Sequence, residues 1–86
     1  MSEKNPLLEL RNEIDALDRQ IMENISARAR CAQSVAEIKE KLGDTAYYKP
    51  EREAQVLRAV MERNTGPLDN EDMARLFRQI MSACLA

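Results

Sequence analysis

The chain has 86 residues, which allows one domain but buries too little apolar surface for comfortable stability unless it is well packed or oligomeric. A net charge of −2 gives no global field toward nucleic acid or an anionic membrane, so any anion site must be local. With no His and only two cysteines, Cys31 and Cys84, no zinc-ligand spacing exists, and no apolar run approaches a membrane span or a signal peptide. Hydrophobic residues reach 44% and aromatics only 3%, so a core is expected and it must be aliphatic. Both cysteines fall on helical patterns and read as reduced, small packing residues, which points to the cytoplasm.

The first element is the longest. From Asn5 to Leu42 there is no Gly and no Pro after Pro6. Asn5 is a good N-cap, Pro6 fits the first helical position, and Gly43 is a natural stop. Leu7, Leu10, Ile14, Leu17 and Ile21 recur in steps of three and four, and Ile25, Ala32, Val35 and Ile38 continue the stripe. The spacing predicts one helix of about 36 residues, roughly 54 Å long at 1.5 Å per residue. A compact domain of this size has a radius of gyration of about 12 Å. The helix cannot fit inside such a monomer, and a second copy of the chain is the simplest partner for its protruding half.

Leu42 to Lys49 reads as a loop. Pro50 then opens a second helix with Glu51 and Glu53 in its first turn, where acids suit the helix dipole. Its stripe is Val56, Leu57, Val60 and Met61, and Asn64-Thr65-Gly66-Pro67 ends it. Asp69 or Asn70 caps a third helix with the stripe Met73, Leu76, Phe77, Ile80, Met81 and Cys84. No strand pattern appears. The fold class is all-α, one long helix plus two shorter ones.

The residues that could carry chemistry are cationic. Arg28 and Lys39 interrupt the apolar stripe of the first helix. They lie eleven residues apart, so they project from one face about 16 Å apart along the axis. Arg11 is seventeen residues before Arg28, about 25 Å away and turned about 100° from it. If Arg11 joins a pocket with Arg28, it must come from another subunit. Arg52 sits in the first turn of the second helix. Glu53, beside it, precedes Leu57 and Val60 at helical spacing and so points toward the packed side. Taken singly, cations on long helices are more often snorkelling surface residues than ligand-binding ones.

Taken together, these residues resemble a known family. The start Leu7-Leu8-x-Leu10-Arg11-x-x-Ile14-Asp15-x-Leu17-Asp18, then Arg28 and Val35-Ala36-x-Ile38-Lys39, carry the likeness. So do Tyr48-Lys49-Pro50-Glu51-Arg52-Glu53, the most specific stretch, and Gly66-Pro67-Leu68-Asp69-Asn70 through Met73-Ala74-Arg75-Leu76-Phe77. The chain resembles the helical class of chorismate mutases, most closely the N-terminal mutase domain of bifunctional chorismate mutase–prephenate dehydratases. The resemblance covers essentially the whole chain and implies an intertwined homodimer. By resemblance, Arg28, Lys39, Arg52 and Glu53 line a substrate pocket within one chain, and Arg11 completes the partner's pocket. Lys49 falls where other members carry an acid whose backbone N–H contacts substrate; a backbone contact can survive that change, whereas a role of the acid's side chain cannot. Cys84 falls where some members place a Ser that contacts a carboxylate; a thiol is a weaker donor.

The reaction implied is the unimolecular Claisen rearrangement of chorismate, a dianion, to prephenate. It requires no nucleophile, metal or cofactor, which suits a sequence without His. Catalysis then means holding a reactive conformer and stabilising charge on the ether oxygen. Arginines suit the first task, because guanidinium grips carboxylates bidentately. Lys39 suits the second, and Glu53 would accept a hydrogen bond from the substrate hydroxyl. Two rival readings are an isochorismate–pyruvate lyase, with a similar cationic pocket, and a non-catalytic helical dimerisation or regulatory module. In the resembling family the third helix continues past the position of Cys84 and presents a Gln or Glu to the ether oxygen. Residues 1–86 are therefore expected to be a C-terminally truncated mutase domain, cut from a longer fusion with a prephenate dehydratase and less than fully active.

Overall fold

The computed structural model describes residues 5–44 and 49–84. Tyr47, Tyr48, Leu85 and Ala86 lie outside these residues. The described residues form three helices: α1 (Pro6–Lys41), α2 (Pro50–Arg63) and α3 (Asn70–Cys84).

Local chemistry sets the ends of each helix. The Asn5 side chain accepts from the Leu7 and Leu8 backbone N–H groups at 3.1 and 3.2 Å, satisfying two of the four orphan donors of α1. At the other end Gly43 takes φ +77, and its N–H donates to the Glu40 carbonyl. That is the left-handed stop a glycine supplies without a Cβ penalty. Helix α2 begins at Lys49 with Pro50 in the first position, and the Lys49 side chain makes no capping bond. Asn64 ends α2 and ties the following turn together. Its amide donates to the Leu68 carbonyl and to Asn70 Oδ1, each at 2.9 Å, and its Oδ1 accepts from the Gly66 N–H. Asp69 caps α3 by accepting from the Asp72 N–H at 2.8 Å, which resolves the choice between Asp69 and Asn70. Asp72 also pairs with Arg75 in the first turn of α3.

Helix α3 packs against both α1 and α2. Only Ala74 and Met81, both on α3, are buried hydrophobics among the described residues, at 3% and 4% exposure. The molecule measures 66 × 25 × 15 Å with a radius of gyration of 17.6 Å, against about 12 Å for a compact domain of this length. Helix α1, 36 residues long, accounts for the excess, and none of its residues is buried. Leu7, Leu10, Ile14, Leu17 and Ile21 are each 53–56% exposed. A regular apolar stripe left half in water is a surface awaiting a partner. No helix among the described residues is long and apolar enough to cross a membrane.

Candidate active site

A cavity of about 250 Å³ opens where the three helices meet. Helix α1 contributes Arg28, Cys31, Ala32, Val35, Ala36 and Lys39 to its wall; Lys49, Arg52 and Val56 come from the start of α2, and Met81 from α3. The eleven-residue spacing places Arg28 and Lys39 on this wall together, as helix geometry requires. Arg52 reaches it because the first turn of α2 faces α1 across the cavity. Four cations therefore line the wall, and no acid is among the described residues that do so.

Arg28 decides what the cavity can hold. Its Nη1 is buried and has no hydrogen-bond partner among the described residues. A buried donor left unpaired costs about 1–3 kcal/mol, more when it carries charge. Such a group in a cation-lined cavity calls for an anion. Arg52 is oriented beforehand: its Nη1 donates to Gln55 Oε1 at 2.7 Å, one turn along α2. That bond occupies one edge of the guanidinium and leaves the other donors for a ligand. Lys49 Nζ lies 3.3 Å from Asp44 Oδ2, an ion pair joining the two described ends of the loop between α1 and α2.

Of the seven residues singled out from the sequence, the fold brings four together: Arg28, Lys39, Lys49 and Arg52. Glu53 is half-buried on α2 but is not among the cavity-lining residues. Cys84, half-exposed at the end of α3, is also outside the lining. Arg11 is exposed on the protruding half of α1. Cys31 corrects one expectation. Instead of packing in a core, it is an exposed free thiol on the cavity wall, one turn from Arg28. Helical periodicity alone cannot separate a core position from a cavity-wall position on the same face. Among the described residues no group of three or more His, Cys, Asp or Glu side chains is placed to hold a metal ion.

Residues 10–86 match the family described as chorismate mutase type II. The chain belongs to that family. Its fold superposes on a chorismate mutase from Thermus thermophilus, solved in two forms. For form II the TM-score is 0.90 at 32% identity, covering 94% of this chain and 91% of that one. For form I the TM-score is 0.88 at 31% identity, covering 93% and 99%. Two bifunctional chorismate mutase/prephenate dehydratases, from Stutzerimonas stutzeri and Pseudomonas aeruginosa, are 58% and 54% identical to the chain over its whole length. The chain spans about a quarter of the length of those relatives. Within the family frame the cation-lined cavity between α1, α2 and α3 is the candidate active site.

Proposed function

We propose that the chain rearranges chorismate to prephenate in the cavity lined by Arg28, Lys39, Lys49 and Arg52. The observation that carries this reading is the unpartnered, buried Nη1 of Arg28 in a cavity lined by cations. Chorismate supplies what that site lacks: two carboxylates, and an ether oxygen that gains negative charge as its C–O bond breaks. In the concerted step that bond breaks while a C–C bond forms at the other end of the same molecule. No proton, electron or group enters or leaves.

The residues divide the work. Arg28 and Arg52 grip carboxylate oxygens and fix the ring and side chain in the folded-over conformer from which the new bond forms. Lys39, a compact cation on the same wall, stabilises the developing charge on the ether oxygen. Glu53 and Cys84 lie outside the cavity lining; the family likeness alone assigns Glu53 the hydrogen bond from the ring hydroxyl and Cys84 the part of a weak further donor. Arg11 acts in the pocket of a second copy. It lies seventeen residues before Arg28 on one rigid helix and cannot reach its own cavity.

That last role requires an intertwined homodimer. The half-exposed stripe Leu7, Leu10, Ile14, Leu17 and Ile21 supports it. Burying each such side chain fully contributes about 1.5–3 kcal/mol, so half-exposed ones leave a substantial part of that for association. A cytoplasmic location goes with this reading, since both cysteines are free thiols. A longer protein that carried a prephenate dehydratase, as the named relatives do, would consume the product. The test is direct: chorismate incubated with the chain should disappear and prephenate accumulate. Consumption of isochorismate with pyruvate release, and none of chorismate, would replace this reading with a lyase. No turnover of either would reduce the chain to a binding module.

A further inference from the structure

The side chain of Lys49 is the fourth cation of the cavity, and the family likeness assigns no role to it, only a backbone contact at that position. Its backbone is committed, because its carbonyl accepts from the Glu53 N–H at 3.0 Å in the opening turn of α2. Its side chain is not used in capping. The Cα is thus fixed while the ammonium rides on a flexible four-carbon stem. That ammonium pairs with Asp44 at 3.3 Å, with both side chains 40–44% exposed. Lys49 lines the cavity, whereas Asp44 does not. Water screens a pair this exposed and leaves it weak. A carboxylate inside the cavity is less screened and attracts the same ammonium more strongly.

We propose that Lys49 is a substrate-binding cation held at the cavity rim by Asp44, and that it exchanges the Asp44 carboxylate for a carboxylate of the incoming dianion. The inference rests on the chorismate reading above. It differs from a simpler role in which the Asp44–Lys49 pair only clasps the two ends of the loop between α1 and α2. The two roles predict opposite signs for one substitution. A competitor removed from Asp44 frees Lys49 and tightens substrate binding; a clasp removed there loosens the loop and weakens it.

The experiment measures KM for chorismate, the inhibition constant of prephenate and the melting temperature. It compares the unmodified chain with Lys49→Met, Lys49→Arg, Asp44→Asn and the Asp44→Asn/Lys49→Met pair. Lys49→Met should raise both constants about tenfold, the value of one charged hydrogen bond, with a smaller change in kcat. Asp44→Asn should lower both about two- to fivefold, the value of an exposed ion pair no longer competing. In the Lys49→Met background, Asp44→Asn should no longer lower either constant, because the ammonium it would free is absent. Lys49→Arg keeps the charge and should recover most of the lost affinity. Weaker binding in Asp44→Asn, unchanged constants in Lys49→Met, or a Lys49→Arg as weak as Lys49→Met each overturn the proposal. An unmodified chain that neither consumes chorismate nor binds prephenate removes the chorismate reading and this inference with it. An active unmodified chain whose variants are indifferent removes this inference alone.

Discussion

Replacing Arg28 with Met separates a residue kept for function from one kept for stability. Methionine has a similar length, fills irregular space and brings no donor to satisfy. Arg28 holds a buried Nη1 with no partner among the described residues. The residue as a whole is only half-buried, so the low end of the 1–3 kcal/mol cost of an unsatisfied donor applies, about 1 kcal/mol. Removing that donor should stabilise the fold by roughly this amount and raise the melting temperature by roughly 4–8 °C for a domain of this size. Activity should move the other way. Loss of a charged anchor for a carboxylate should lower kcat/KM by about 10²–10³, or about 2.7–4 kcal/mol of transition-state stabilisation. Thermal melts followed by circular dichroism, and chorismate consumption followed by absorbance, read the two effects independently. The reasoning is refuted if Arg28→Met melts well below the unmodified chain. Arg28 would then be a structural cation whose partner the fold supplies, and the cavity would not be preorganised for an anion.

Light scattering at micromolar concentration should give about twice the 9.8 kDa chain mass; Ile14→Asp, in the middle of the exposed stripe, should lower that mass or unfold the chain, and a fully helical monomer of the unmodified chain would refute the dimer. Arg11→Ala and Arg28→Ala should each be nearly inactive, yet mixing and re-annealing them should restore up to one intact site per heterodimer, and heterodimers without activity would refute the shared site. Lys39→Ala should lower kcat by about 10²–10³ with a smaller effect on prephenate affinity, since its charge acts mainly in the transition state; a change confined to KM would assign Lys39 to binding instead.

Much of the fold is legible because its signals are local. Asn5-Pro6, Gly43, Pro50 and Asp69 act through their own backbone neighbours, so the ends of the three helices follow from capping chemistry. The Arg28–Lys39 pair is legible because a rigid helix converts eleven residues into a shared face. The placement of Arg52 and Lys49 opposite that face is not. It depends on how α3 packs against both other helices, and no spacing within α1 or α2 encodes it; only the family likeness points to that placement. Cys31 escapes the pattern for the related reason that periodicity identifies a face but not what covers it. The Asp44–Lys49 pair spans two ends of a loop, where no periodicity applies.

Helix α1 performs two tasks at two distances along one rod. Residues 7–21 carry the half-exposed stripe, while residues 28–39 carry two of the four cavity cations. If a second copy covers the stripe, the register of that contact fixes where Arg11 of one chain stands relative to Arg28 of the other. A slip of one turn would move it by about 5.4 Å, well beyond the tolerance of a bidentate carboxylate contact. Association and catalytic geometry would then be one requirement, met by a half-exposed stripe whose partner would align the site. On that reading the length of α1 has a use: a helix trimmed to fit a compact monomer could not deliver an arginine about 25 Å from its own pocket.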